Sequence, residues 1–215
     1  MLGTTGTRLR RIGLGLAAFV LAAAPGRGAE APPVRASDLA AFLGLRAGPV
    51  LRDQDGRDLG PDRFGDAVVG VAFFSTEGSI LGVERLLGLA RLVAGLEPAA
   101  RAHVRMVAVT VDPAQDTPEA LRAFAAGLGL DTAAVTLATG REDAVARLLA
   151  SIGWRRAPGP DPAPPSLFVF DRRGGFALRY GAAPLDRPRL ARDLATLADL
   201  AGGAGQGAET VSARP

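Results

Sequence analysis

Val104-Arg-Met-Val-Ala-Val-Thr-Val-Asp-Pro-Ala-Gln-Asp-Thr-Pro-Glu119 is the stretch that decides how this chain folds. Val104 to Val111 is an almost unbroken apolar run, the pattern of a strand buried on both faces of a sheet. Asp112-Pro113 stops it, because proline has no N–H to give to a ladder. Asp116-Thr117-Pro118-Glu119 then opens a helix, with a capping side chain, proline at the first helical position and an acid in the first turn.

Working outward, the same alternation recurs. Ala67 to Phe74 reads as another fully buried strand, followed by a helix over 79–96 whose core stripe is expected at Ile80, Val83, Leu87, Ala90 and Ala94. Val135 to Leu137 reads as a short strand and 141–152 as a helix. Ala157 to Pro165 is a stiff Pro-rich loop. Strands over 166–170 and 176–180 form a hairpin around Asp171 to Gly175. A last helix over 186–200 carries Leu190, Leu194 and Leu197 on one face. Upstream, Ser37-Asp38 caps a short helix to about Leu45, and 48–57 reads as a strand running into an Asp55-Gly56 turn. Strand–helix–strand–helix, then hairpin and helix, predicts an α/β three-layer sandwich: a mixed central sheet with helices on both faces, in the thioredoxin-like arrangement.

Composition bounds the chemistry. The 215 residues hold 48% hydrophobic and 22% charged positions, enough for one domain with a real core. There is no cysteine, so disulfides, thiolate nucleophiles and Cys-ligated metals are excluded, and a single histidine, His103, leaves no set for a His-based metal site. All 25 basic residues are arginine. Four of them (Arg8, Arg10, Arg11, Arg27) fall in residues 1–28, which hold no acid; the remainder carries 21 Arg against 22 acids, a formal net charge of −1. No basic stripe is left for nucleic acid.

Residues 1–28 read as a secretory signal peptide: a charged start, then Ile12 to Ala24, an apolar segment too short to span a membrane. A retained anchor or a buried N-terminal helix are the alternatives; Arg10-Arg11 hints at a twin-arginine signal, with Gly13 where that motif prefers an aromatic. The expected organisation is 1–28 leader, 29–45 linker and short helix, 46–201 folded domain and 202–215 disordered tail. The expected location is periplasmic or exported, membrane-associated if the leader stays, with no other transmembrane helix.

Over about residues 46–200 the chain resembles the SCO/SenC family, thioredoxin-fold proteins tied to copper delivery for cytochrome oxidase. Leu51-Arg-Asp-Gln-Asp-Gly-Arg57 looks like the family's opening hairpin, Val109 to Glu119 like its most recognisable segment, and Ser166-Leu-Phe-Val-Phe-Asp171 with Gly174 like its late strand and turn. The family's chemistry sits in Thr-x-Cys-Pro-x-x-Cys-Pro after the first buried strand. Here that stretch reads Thr76-Glu77-Gly78-Ser79-Ile80-Leu81-Gly82-Val83. Gly78 and Gly82 occupy the cysteine positions, Ser79 and Val83 replace the prolines, and the family's third ligand, a histidine, falls at about Ala163. The resemblance therefore implies the fold and a link to oxidase or copper-site assembly. Soft Cu(I) needs thiolate or thioether donors and disulfide exchange needs a thiolate, so neither family chemistry is expected; only Met106 remains, facing the core. No catalytic residue, metal or cofactor is expected.

The remaining candidates are weighed one by one. His103 precedes its strand, whereas ligands in such sheets gather at strand carboxyl ends, so it reads as a surface residue. Ser75, Thr76 and Ser79 lack a base and read as helix-start hydroxyls. Asp112 and Asp116 form a carboxylate pair or else belong to the turn and cap. Gly127, Gly129, Gly174 and Gly175 read as turn glycines. Pro165 sits where thioredoxin-like folds place a cis-proline beside the active site. The candidate binding surface is Thr76, Glu77, Gly78, Ser79, Asp112, Trp154, Arg155, Arg156 and Pro165, with Trp and Arg as interface anchors. A protein partner among oxidase-assembly components is expected through the resemblance. The alternatives are a binder of a small anion or extended peptide at the Gly78 helix start, and an enzyme with a cysteine-free mechanism at Asp112 or Asp116.

Overall fold

Val68–Phe74 (β2) is buried at every position, so both of its faces must be covered. They are: Val68, Ala72 and Phe74 enter one core, and Val69, Val71 and Phe73 the other. The period of two along a pleated strand divides the residues this way. A computed structural model describes residues 38–48, 50–78, 80–155, 166–181 and 185–200 of the chain. The leader, most of the linker, the Pro-rich loop, the tail, and with them Ser79, Arg156, Ala163 and Pro165, lie outside the described residues.

Six strands form one mixed sheet in the order β1-β4-β3-β2-β5-β6. β2 pairs parallel with β3 (Val104–Thr110), Val68 opposite Val104, and β3 parallel with β4 (Val135–Gly140), Met106 opposite Val135. β5 (Leu167–Phe170) runs antiparallel to β2, and β6 (Phe176–Tyr180) antiparallel to β5 with a bulge at Val169/Phe170. On one face lie α2 (Ile80–Ala94), the short α3 (Pro98–Ala102), α4 (Pro118–Leu128) and α6 (Arg187–Leu200). On the other lie α1 (Leu39–Phe42) and α5 (Glu142–Ser151). Phe42 holds α1 down, its ring centroid 5.2 Å from that of Phe168 and 5.1 Å from that of Phe170. The α/β thioredoxin-like sandwich read from the sequence is the fold observed.

Several details differ from the sequence reading. α1 stops at Phe42 because Gly44 turns left-handed (φ 71°), and a single 3-10 turn, Leu45–Ala47, follows. The opening hairpin keeps its turn but not its second arm. β1 is only Leu51–Asp53, and it pairs antiparallel with distant β4. The chain returning through Gly56 meets β1 at one bridge, Arg52 with Asp58, because the Asp53 carboxylate accepts from Asp55 N and Arg57 N and curls the turn inward. The α2 stripe is rotated: Leu86, Leu89, Ala90 and Val93 are buried, while Ala94 is exposed and Ile80 is 81% exposed. α3 was not anticipated; it is a single turn led by Pro98.

Two fastenings define the ends of the sheet. Asp38 bridges Gly175, and Leu39 N donates to Gly174 O at 2.8 Å, so the described chain begins against the β5–β6 turn. The Arg172 guanidinium in that turn grips both oxygens of Asp66, just before β2, and also reaches Ala198 O at the end of α6. At the β6–α6 contact the Tyr180 hydroxyl donates to Asp193.

Two measurements follow from this packing. A Cβ at Gly140 would stand 2.4 Å from Val50 O, so Gly140→Ala should cost about 1–3 kcal/mol in denaturant unfolding. Gly127 in α4 has open space, and Gly127→Ala should gain ~0.5–1 kcal/mol, a built-in control. Burial first, then the hydrogen bond to Asp193, push the Tyr180 phenol well above its ordinary range. The unfolded chain loses that proton from about pH 10 while the folded chain keeps it, so stability should fall as pH rises above that point. The chain has one tyrosine and no lysine, so phenolate absorbance reports this group alone, and Tyr180→Phe should flatten the alkaline fall.

Candidate functional site

The carboxyl ends of β2 and β3 meet the start of α4 at Asp116, a carboxylate that is 1% exposed. It is reached because Asp112-Pro113 ends the strand and the chain coils once: Gln115 N and Asp116 N both donate to Asp112 O, at 3.1 and 2.9 Å. Thr117 then caps α4, its hydroxyl accepting from Ala120 N at 3.3 Å. Asp116 thereby faces inward. One of its oxygens accepts from the Thr76 hydroxyl; the other accepts from the Thr110 hydroxyl and, at 3.4 Å, from Thr76 N. Thr110, itself fully buried, accepts in turn from Asp112 N at 3.0 Å. A carboxyl group buried this deeply is tolerable only when its lone pairs are met, and here three donors meet them, two from Thr76 in the turn after β2 and one from Thr110 at the end of β3.

This hub fixes the turn leading into α2. Ser75 is buried; its hydroxyl accepts from Glu77 N at 3.2 Å and its carbonyl from Gly78 N at 3.0 Å. Those two amides are therefore taken by the turn rather than offered to an anion. A Cβ on Gly78 would come within 2.8 Å of Ser75 O, so even a cysteine there would require the turn to move. Beyond Ser79, Ile80 and Leu81 are the first residues of α2, 81% and 68% exposed.

Of the residues singled out from the sequence, the structure brings Thr76, Glu77, Gly78 and Asp112 to this rim. Thr76 and Gly78 are half-buried and Glu77 is exposed. α5 starts at the β4 carboxyl end and runs back, which carries Trp154 and Arg155 away from the rim; Trp154 packs half-buried on the second core and Arg155 is exposed. Asp112 and Asp116 do not act as a carboxylate pair, since both Asp116 oxygens are taken by threonines. His103 lies at the opposite end of β3, its Nδ1 3.2 Å from Asp66 O. Sequence reasoning missed Thr110 as a partner of Asp116 and the exposure of Ile80 and Leu81. A threonine closing an otherwise apolar strand was the available signal for the first.

The donor set does not suit a cuprous ion. Gly78 offers no side chain to ligate, the chain has no cysteine, and among the described residues no three His, Cys, Asp or Glu side chains cluster to hold a metal. Met106 is buried and fills the space over Gly70. Asp116→Ala should lower unfolding free energy by roughly 2–4 kcal/mol, because the buried Thr110 hydroxyl and the half-buried Thr76 hydroxyl lose their acceptor. Thr76→Val should cost less, about 1–2 kcal/mol, since Thr110 keeps its bond. A loss near zero for Asp116→Ala would show that the carboxylate does not hold the rim.

Comparison with known proteins agrees with this architecture. The chain is similar in structure to copper-bound ScoI from Bradyrhizobium japonicum at 19% identity, covering 70% of this chain and 98% of that one with a TM-score of 0.56. For a SCO1/SenC family lipoprotein from Bacillus anthracis the figures are 22%, 69%, 92% and 0.58. For BsSco, described as a member of the Sco family of cytochrome c oxidase assembly proteins, they are 19%, 70%, 91% and 0.59. The comparison with curated proteins finds no match. At these identities the structural likeness speaks for the fold; the family is carried by a model of SCO1/SenC that matches residues 50–198, well over half of the sequence. The chain belongs to the SCO1/SenC family.

Proposed function

We propose that this SCO1/SenC member is an exported binding factor without copper or thiol chemistry, acting as an accessory in the assembly of cytochrome oxidase or its copper site. No enzymatic step is assigned to it. The observation that carries the reading is the exposure of Ile80 and Leu81, the second and third residues after Gly78, at the rim where the family resemblance places a reactive pair of thiols. Among the described residues only Phe176 and Leu200 are other large apolar side chains classed as exposed. Adjacent exposed apolar residues beside a rigid turn favour protein contact over chemistry. Membership of the family, and the description of BsSco as belonging to oxidase assembly proteins, supply the process. The small-anion alternative at Gly78 is less favoured, because the Glu77 and Gly78 amides already have acceptors.

The test is a crosslinked pull-down of the tagged full chain from the membrane and periplasmic fractions of its own host. Oxidase subunits or a cysteine-bearing SCO protein should be recovered, and lost when Ile80→Asp and Leu81→Asp are combined, with an unchanged thermal midpoint. Recovery that is indifferent to these substitutions would remove the rim from the reading. A competition titration showing tight one-to-one Cu(I) binding would overturn it.

A further inference from the structure

A second feature lies at the outer edge of the sheet, where short β1 runs against the end of β4. The two strands are in register with Arg52 opposite Thr139 and Leu51 opposite Gly140. Side chains of directly opposed residues share one face of a sheet. Beside them opens a cleft of about 420 Å³ whose lining includes Arg52, Thr139 and Arg141, with Val50, Pro113 and Pro118 as apolar wall.

Thr139 is the telling residue. It is 4% exposed, yet its hydroxyl makes no hydrogen bond to any described residue. Among the described residues no side-chain oxygen or nitrogen sealed from solvent lacks a partner, so this hydroxyl opens onto the cleft it lines. A nearly buried hydroxyl without a partner has an unmet bond to offer.

Two guanidinium groups flank it with donors to spare. Arg52 uses Nε on Asp58 at 3.1 Å, leaving both terminal nitrogens uncommitted. Arg141 uses Nε and one terminal nitrogen on Asp143, at 3.0 and 2.7 Å, leaving the other. Each carboxylate holds its guanidinium in place, which lowers the cost of ordering it around a ligand. Of these acids only Asp58 lines the cleft, so two cations face one anion there. The start of α4 adds little: Pro118 has no N–H, and the Ala120 N–H is already taken by the Thr117 hydroxyl. The attraction comes from the side chains.

The geometry points to a binding site for a small organic oxyanion, a carboxylate or a phosphate ester, with the anionic head on Arg52, Arg141 and Thr139 and the carbon part against Val50, Pro113 and Pro118. Fork-shaped guanidinium donors match planar carboxylates and phosphates. The site is independent of the protein-docking rim and of the reading built on it.

The experiment titrates the isotope-labelled full chain with succinate and, separately, with inorganic phosphate, at fixed ionic strength. Saturable shifts of the Thr139, Gly140 and Arg141 amides and of the Arg52 Nε–H are expected; the tighter probe says whether the head group is carboxylate or phosphate. Thr139→Val keeps the shape and removes the hydroxyl. It should weaken binding by about tenfold or more, the scale of one hydrogen bond to a charged group, while leaving the thermal midpoint equal or higher. Arg52→Gln should weaken it as well. Absence of shifts with both probes at tens of millimolar would overturn the proposal. So would unchanged binding in Thr139→Val, or a lowered midpoint in that variant, which would mark the hydroxyl as structural.

Discussion

One buried carboxylate organises the rim at the carboxyl ends of β2 and β3. Asp116 draws the hydroxyls of Thr76 and Thr110 onto itself, and so ties the last turn of β2, the end of β3 and the start of α4 into a single polar knot. Among the described residues the partners of that carboxylate are two hydroxyls and one amide, and no cation. That arrangement is directional, because each donor reaches the carboxylate from a fixed backbone position. The turn into α2 inherits its rigidity: Ser75 closes on Glu77 and Gly78, and Gly78 fits only because it lacks a Cβ.

The rim combines the family fold with its own set of side chains at the helix start. Where the SCO resemblance calls for two thiols there is a glycine folded tightly against Ser75 O, and a second glycine one helical turn on. The helix start that would have brought sulfur to the surface presents isoleucine and leucine instead. Exposed apolar side chains of this kind carry the desolvation energy that protein contacts draw on. The same scaffold places a different kind of surface two strands along, where arginines and a threonine hydroxyl line a polar cleft. The sheet sets both at its edge and leaves their character to individual side chains.

Much of this was legible in the sequence, and the parts that were not share a cause. β2 and β3 announce themselves as apolar runs, α4 by its Thr-Pro cap, the late hairpin by Asp171 to Gly175, and each depends on neighbours in sequence. The buried face of α2 was misjudged because Ile80 to Ala94 is apolar nearly all round, so a period of 3.6 fits several phases and only the sheet selects one. β1 is short because its partner is β4, far along the chain, rather than the arm beyond its own turn. Asp116 could be read as a capping residue, but its real partner Thr76 stands 40 residues away. The Thr139 cleft exists only through the register that sets Arg52 opposite it. Local signals gave the elements; pairing across distance made both sites.

The bridge between Asp38 and Gly175 has a mechanical consequence. β5 runs antiparallel to β2, so the β5–β6 turn lies at the end of the sheet where β2 begins, near Asp66, and the Thr76 rim lies at the other end. The described chain therefore begins at the foot of the fold, at Asp38. A pull applied at Asp38 acts on a hairpin clamped by Arg172 to Asp66 and to the end of α6. Load applied there is shared by two elements before it reaches the strands that carry the rim, and the Ile80–Leu81 surface lies toward the opposite end of the sheet from Asp38.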